Sequence, residues 1–259
     1  MRLPRPQIED CCVHVIHRCH GRRMLLGTDI DRKQYAKRLW QASQRFRTVR
    51  ILDYVITSNH VHLLTWVLRT GDLSEMMKWL QGAYAGDCNR RLGREGAFWR
   101  GRFHPTLVET GSHLSRCLFY LDMNMVRAGV VDHPREWRFG GHHELAGNRK
   151  RYRIVDLDLL LSLLPSPNVT TFRCWYERTL TLLCQQDELP REPHWSGAFA
   201  VGSRRWLSEL TDGDPRVEEY VRPLDGSPGA GDQEATCVLT PPQSVYRRIW
   251  TSLVKRSCR

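Results

Sequence analysis

The sequence predicts an α+β fold, a ferredoxin-like split βαβ antiparallel sheet followed by a mainly helical extension. Three observations carry that expectation. Strand-like and helix-like stretches follow the order strand, helix, strand, strand, helix, strand through residue 110. Only "SN" separates the second and third strands, which makes them an antiparallel hairpin. The apolar period also changes, from two in the strands to three and four in the segments between them.

Taken in order, "CCVHVIHRC" (11–19) alternates as a strand, with Val13 and Val15 on one face and His14 and Ile16 on the other. "TDIDRKQYAKRLWQASQRF" (28–46) opens on a Thr or Asp cap and repeats Tyr35, Leu39, Ala42 and Phe46 along one helix face. "VRILDYVIT" (49–57) and "HVHLLTWVL" (60–68) are the second and third strands. Asp72 or Ser74 caps a second helix with the stripe Met77, Leu80 and Tyr84, ending near "NRRLGREG". "AFWRGRFHPTLVET" (97–110) reads as a fourth strand with a central glycine. A third helix runs from about Ser112 to Ala128 and stops at Gly129. Its buried stripe is Leu114, Leu118, Leu121 and Met125; a second, polar stripe is His113, Arg116, Tyr120, Asn124 and Arg127.

These elements define a domain at residues 1–146, and residues 147–259 form the extension. In the latter, "DLDLLLSLL" and "TFRCWYERTLTLLCQQ" are helical, "LPREPHW" is a linker, and "SGAFAVGSRRWLSEL" is a short further unit. "PLDGSPGAGDQEA" is a flexible segment, and "SVYRRIWTSLVKRSCR" a basic amphipathic helix.

The net charge of +11 lies wholly in the first part: residues 1–150 carry 25 Lys and Arg against 14 Asp and Glu, and residues 151–259 carry 14 of each. Only five of the 39 basic residues are lysine. A basic surface made of guanidinium forks matches phosphates and stacks on bases, so nucleic acid is the leading partner class. No run of 18 apolar residues and no apolar leader is present, so neither a membrane span nor secretion is supported. A cytoplasmic, nucleoid-associated location is expected. The nine cysteines contain no C-x-x-C pair and are expected to be reduced.

The third predicted strand, a central one, carries two imidazoles in "YVITSNHVHLLTWV". His60 and His62 are two residues apart, so both point to one face while Val61 and Leu63 supply the other. Two readings are open at this point: hydrogen-bonded histidines in a core or cleft, or a pair converging on a metal ion. The sequence lacks H-E-x-x-H, which excludes the metalloprotease arrangement.

"SNHVHLL" (58–64), "YAGDCNRRLGREGAFWRGRFHPTLVE" (84–109) and "YLDMNMVRAGVV" (120–131) together resemble the REP-associated tyrosine transposases. These are single-tyrosine members of the histidine–hydrophobe–histidine (HUH) superfamily of single-strand DNA transposases. "VHVIHRCHGRRMLL" (13–26) and "HPREWRFGGHHE" (133–144) fit the same pattern in order and spacing, so the resemblance covers roughly residues 3–145. It implies that His60 and His62 hold a divalent cation, that Tyr120 attacks a scissile phosphate, and that a 5′-phosphotyrosine link and a free 3′-OH result. Asn124, one turn after Tyr120, is implied as a third metal ligand. Two imidazoles and an amide oxygen suit Mg²⁺ or Mn²⁺. A phenol of pKa about 10 is a poor nucleophile at neutral pH, so a neighbouring cation serves the reaction.

The implied substrate is single-stranded DNA with hairpin-forming, REP-like repeats, and the implied state is monomer or homodimer. Candidate DNA-binding residues are Arg90, Arg91, Arg94, Arg100 and Arg102 around Phe98, Trp99 and Phe103. Arg22 and Arg23 after the first strand, with Arg116 and Arg127 near Tyr120, join them. Met125 stands where the family has proline, and Ser58 precedes "NHVH" where Asp or Pro is common. A repeat-DNA-binding protein with little or no catalytic activity is the rival reading.

Overall fold

The computed structural model describes residues 9–69, 71–165, 168–186, 189–224, 236–242 and 245. Strands β1 (Cys11–Arg18), β2 (Val49–Ile56), β3 (His60–Val67) and β4 (His104–Val108) lie in the order β2-β3-β1-β4, all antiparallel. Helix α1 (Asp29–Arg45) joins β1 to β2 and α2 (Asp72–Arg91) joins β3 to β4, which is the expected split βαβ sheet.

Local chemistry explains the boundaries. At α1, the Thr28 hydroxyl accepts from the Asp31 amide (3.2 Å) while the Asp31 carboxylate accepts from the Thr28 amide (3.0 Å), a reciprocal capping box. The expectation that Asp72 or Ser74 caps α2 is corrected: Gly71 is the cap, at φ 84°, a conformation that glycine adopts without a Cβ penalty. The Asp72 carboxylate instead accepts from the Thr48 hydroxyl. The expected strand at 97–110 shrinks to His104–Val108: Trp99 makes only an isolated antiparallel bridge to Cys19, and Gly101 (φ 68°) turns the chain between that bridge and β4. The third helix is two pieces, α3 (Ser112–Asp122) and α4 (Asn124–Arg127). Met123, at φ −74° and ψ 1°, separates them, although the Arg127 amide still donates to the Met123 carbonyl (2.8 Å). The chain then leaves at Gly129 with φ 65°, as the glycine predicts.

The sheet has two differently used faces. His17 shares the face of Val13 and Val15, and its ring stacks on Trp99, which meets Tyr35 of α1 and Tyr84 of α2. That face is a closed apolar core, with Tyr35, Leu39, Met77, Leu80 and Tyr84 all buried. The opposite face, with His14, His60 and His62, lies under α3.

Among the described residues the extension is mainly helical, as expected, and it also adds three short strands. After α5 (His142–Leu145), which closes the first 146 residues, come α6 (Leu157–Leu163), α7 (Val169–Cys184), α8 (His194–Gly197), α9 (Arg204–Leu210) and α10 (Pro215–Glu218). With them come β5 (Ala200–Ser203), β6 (Val221–Pro223) and β7 (Thr236–Leu239). β5 pairs parallel to β4, β7 antiparallel to β5, and β6 antiparallel to β7, so one seven-stranded sheet runs β2-β3-β1-β4-β5-β7-β6. Strands of three or four residues are too short for alternation to show in the sequence. "LPREPHW" is likewise no simple linker, since Trp195 is 1% exposed.

At the other edge, residues 139–156 cover β2. Ile56 donates to the Phe139 carbonyl (2.9 Å), Gly141 to that of Tyr54 (2.8 Å) and Asp156 to that of Ile51 (2.7 Å), which satisfies groups an edge strand would leave open. Among the described residues no helix is long and apolar enough to cross a membrane, and the eight described cysteines are free thiols. Most of the segment 223–235, expected to be flexible, and most of the basic helix expected at 244–259 lie outside the described residues.

Candidate active site

The β1–β3 register sets Ile16 opposite His62 and Arg18 opposite His60, so His14, Arg18, His60 and His62 share one face. The His60 and His62 rings are 4.8 Å apart between centroids. Above them α3 presents Tyr120, whose ring lies 5.9 Å from His62 and 6.0 Å from His14. One turn on, the Asn124 amide is 3.4 Å from His62 Nε2. The structure thus brings His60, His62, Tyr120 and Asn124 together.

Hydrogen bonds decide which imidazole nitrogens are bare. His14 Nδ1 lies 2.7 Å from the Trp195 carbonyl, which can only accept, so Nδ1 carries the proton. In the neutral ring His14 Nε2 is then an acceptor, and at 2.8 Å it takes the proton of His62 Nδ1. His62 Nε2 is then an acceptor, and the Asn124 Nδ2 amide donates to it at 3.4 Å. His60 follows the same logic, its Nδ1 lying 2.7 Å from Asn59 Oδ1. Both ligand candidates present Nε2, each oriented by a partner on Nδ1.

Burial keeps the rings neutral. It lowers His14 to about 4 and His60 to about 3, and it holds His62 well below the ordinary imidazole range, with neighbouring Arg18 and His14 adding to the effect on His60. Neutral imidazoles are the form a metal takes. Among the described residues no three His, Cys, Asp or Glu side chains form a metal cluster. The donors that fit a divalent cation are therefore two imidazoles and an amide, a weak set that needs oxygen ligands from the substrate and water.

The nucleophile candidate is enclosed by the extension. Tyr120 is 9% exposed, and its hydroxyl lies 3.4 Å from Ser196 Oγ. The Arg127 guanidinium sits 4.7 Å from the centre of its ring and 3.7 Å from the Glu192 carboxylate. Trp195 packs 6.0 Å from the Tyr120 ring and donates its indole N–H to Glu192 (2.8 Å). A cleft of about 370 Å³ opens here, lined by Arg18, His60, Tyr120, Asn124, Arg127 and Arg191 among others.

Beneath this layer lies a buried acidic group. Burial raises Asp122 to about 7, and its carboxylate accepts from the Tyr176 hydroxyl (2.6 Å). Burial first, and then the Asp122 charge, push Asp53 well above the usual carboxylate range.

The candidate DNA-binding residues are scattered more widely. Arg127 is in the cleft, and Arg100 donates its backbone amide to the Arg18 carbonyl (2.8 Å) with an exposed side chain. Arg22 and Arg23 are exposed, and the Arg22 carbonyl accepts from Asn59 (3.3 Å), beside the turn into β3. Arg116 donates to Thr236 (2.7 Å), and Arg102 is exposed next to β4. Arg90, Arg91 and Arg94 belong to α2 and the loop after it. There Arg90 pairs with Asp87 (2.7 Å), Arg91 with the buried Asp31, and Arg94 with Asn89 (3.2 Å). Phe98 and Phe103 are buried, and Trp99 stacks 4.6 Å from His17 while its indole donates to the Gln81 carbonyl (3.1 Å). That packing leaves these three rings little surface for a base.

Sequence reasoning missed His14, Arg18 and the Trp195–Ser196 pair. His14 had a signal, since alternation put it on the face opposite Val13 and Val15. Trp195 had none, because its role comes from a contact 181 residues away along the chain.

Residues 7–122 match the family model described as IS200-like transposase. Among solved structures, the chain is similar to a REP-associated tyrosine transposase bound to a REP hairpin, at 18% identity over 59% of this chain and 89% of that one, TM-score 0.48. It is also similar to a candidate transposase from Deinococcus radiodurans R1, at 16% identity over 50% of this chain and 98% of that one, TM-score 0.35. No curated protein matches. Both strand histidines and Tyr120 lie inside the matched span, so over residues 7–122 the chain is similar to the IS200-like transposases.

Proposed function

We propose that the protein is a metal-dependent single-strand DNA endonuclease and strand transferase. It cleaves and rejoins DNA at hairpin-forming repeats through a 5′-phosphotyrosine intermediate. The observation that carries this reading is that His60, Tyr120 and Asn124 line one basic cleft, with the His62 ring directly beneath, 4.8 Å from that of His60 and 5.9 Å from that of Tyr120. That set matches phosphoryl transfer to tyrosine, and the similarity of residues 7–122 to the IS200-like transposase model supports it.

His60, His62 and Asn124 are the residues that would hold Mg²⁺ or Mn²⁺. When bound, such a cation neutralises phosphate charge and favours the ionised phenol. The chain's own residues do the rest. Arg127 and Arg18 receive non-bridging oxygens of the scissile phosphate. The Tyr120 oxygen forms a bond to phosphorus as the bond to the 3′ oxygen breaks. The phenol's proton passes to solvent, and the departing 3′ oxygen takes one up. Since the new ester has nearly the energy of the old bond, the reverse attack by a 3′-OH rejoins DNA without another energy source.

His14 is in this reading a positioning residue, which fixes the His62 tautomer through the Trp195 carbonyl. Residues 1–146 supply the reacting groups, and 147–259 add the carbonyl and the wall around Tyr120. The substrate is single-stranded DNA carrying hairpin repeats, in the cytoplasm at the nucleoid.

The test is incubation of the full chain with labelled single-stranded DNA carrying palindromic repeats of its own genome, with Mn²⁺ or Mg²⁺, followed by a denaturing gel. A covalent protein–DNA band lost in Tyr120→Phe and in His60→Ala is expected. Cleavage without a band moves the nucleophile to water, and binding without cleavage under either metal leaves a repeat-DNA-binding protein.

A further inference from the structure

The rings that sequence reasoning placed against DNA bases are internal, yet the molecule has an aromatic cleft elsewhere, remote from the reacting groups. It lies between α1 and the segment 138–154 that covers the β2 edge, and it holds about 500 Å³. That is within the range of about 300–1,000 Å³ typical of small-ligand clefts. Trp40 and Tyr152 form one wall, their rings 5.3 Å apart and perpendicular, and Phe139 lies in the floor. Tyr152 is 71% exposed and held at φ 52°, a conformation a bulky residue adopts only when its surroundings impose it.

Charge identifies the ligand class. Lysines and arginines line the cleft, and no carboxylate does. Arg149 is offset from below by Glu144 (3.3 Å) and Arg138 loosely by Asp29 (3.7 Å). Lys33, Lys37 and Arg151 have no acidic partner among the described residues. By contrast, on the neighbouring basic patch across α1, Arg38 and Arg90 both pair with Asp87. Uncompensated cations around stacking surfaces call for a planar ring with anionic groups on either side. The cleft is also linked to the candidate active site. Arg32, next to Lys33 in α1, donates to Ser58 (3.0 Å) at the turn into β3, and its guanidinium lies over Phe139 (5.4 Å).

We propose that this cleft binds an unpaired nucleobase of the substrate strand, stacked on the face of Tyr152 beside Trp40, with its flanking phosphates on Lys33, Lys37 and Arg151. The proposal rests on the reading of the protein as one that acts on single-stranded DNA. It gives the enzyme a second point of grip, outside the scissile phosphate, at which the single-stranded flank of a hairpin is measured or read.

The experiment uses full-length protein and fluorescence anisotropy on two DNAs, a hairpin with single-stranded flanks and the same hairpin trimmed flush. Tyr152→Ala is expected to weaken binding of the flanked DNA about 5- to 150-fold, the range of one base–aromatic stack. Tyr152→Phe keeps the ring and is expected to bind as the parent does. The flush hairpin is expected to show no change with either variant. Lys33→Gln with Lys37→Gln should flatten the salt dependence of flanked binding by about 0.7 for each phosphate that is no longer neutralised. Unchanged flanked binding in Tyr152→Ala, or equal weakening on the flush hairpin, overturns the proposal. So does a cleft that answers only to a free nucleotide, seen as Trp40 fluorescence quenched by deoxynucleoside monophosphates while Tyr152→Ala leaves flanked DNA binding intact. The covalent band assay separates this from the catalytic reading: Tyr120→Phe abolishes the band and leaves the Tyr152 effect, whereas failure of the cleft leaves the band.

Discussion

Replacing His14 tests whether the site is organised by tautomer. The ring is fully buried between the Trp195 carbonyl (2.7 Å) and His62 Nδ1 (2.8 Å). In His14→Leu the His62 Nδ1 proton has no acceptor, so His62 either leaves a buried donor unpaired or moves the proton to Nε2, where a metal would bind. Either choice costs about 1–3 kcal/mol. At about 1.4 kcal/mol per tenfold, that is roughly a 5- to 150-fold loss of metal affinity, which brackets the 10- to 100-fold typical of an orienting partner. His14→Gln reaches the same point with a carbonyl oxygen and should restore most of the affinity. The assay is Mn²⁺ titration followed by electron paramagnetic resonance, without DNA or turnover. Two-bond ¹H–¹⁵N correlations of the histidine rings in metal-free protein report the tautomer itself: His62 protonated on Nδ1 in the parent and in His14→Gln, and shifted in His14→Leu. Equal Mn²⁺ affinity in parent and His14→Leu, both folded, would refute the reasoning.

Three further outcomes are expected. Trp195→Ala, removing a side chain that is 1% exposed, should cost about 3–5 kcal/mol in denaturant unfolding, with Trp195→Phe much milder. Asp122→Asn should gain stability over the parent as pH rises from about 4 to 7. The carboxyl is raised to about 7 in the fold against about 3.9 unfolded, so the folded state holds a proton the unfolded state has lost, and the parent's stability falls across that window. A variant advantage that shrinks with rising pH in thermal melts contradicts the assignment. Arg127→Ala should lower the salt slope of single-strand binding by about 0.7, while Arg90→Ala, already paired with Asp87, leaves it unchanged.

Elements with long, regular patterns were legible. The three strands in the first 68 residues, the stripes of α1 and α2 and the stop at Gly129 follow from period and punctuation, which are local properties. His60 and His62 were legible as a pair because strand alternation is a strict rule, and Tyr120 with Asn124 because helix spacing is. What escaped depends on tertiary contact. Whether Arg91 meets DNA or Asp31 is decided by helix packing that no local pattern encodes. Trp99 looked like a base platform beside arginines, and the stacking of His17 on its face is visible only once β1 and the 97–103 turn are side by side. β5 and β7, four residues each, gain their stability from neighbours rather than from their own sequence.

The carbonyl that orients His14 is supplied by residue 195, 181 positions downstream. During synthesis this fixes an order of events. A chain that has emerged only through Gly129 already contains both candidate ligand histidines, Asn124 and Tyr120, and all four strands of the β2-β3-β1-β4 sheet. Its His62 nonetheless lacks a partner locked in the required tautomer until about 65 more residues have left the ribosome and closed a long loop. In the proposed reaction, competence for strand cleavage therefore arrives with the second half of the polypeptide, so a prematurely terminated message yields a product that folds toward the sheet yet carries no organised nuclease. If the proposed strand cleavage holds, a truncation that fails silent is safer for the genome than one that fails active.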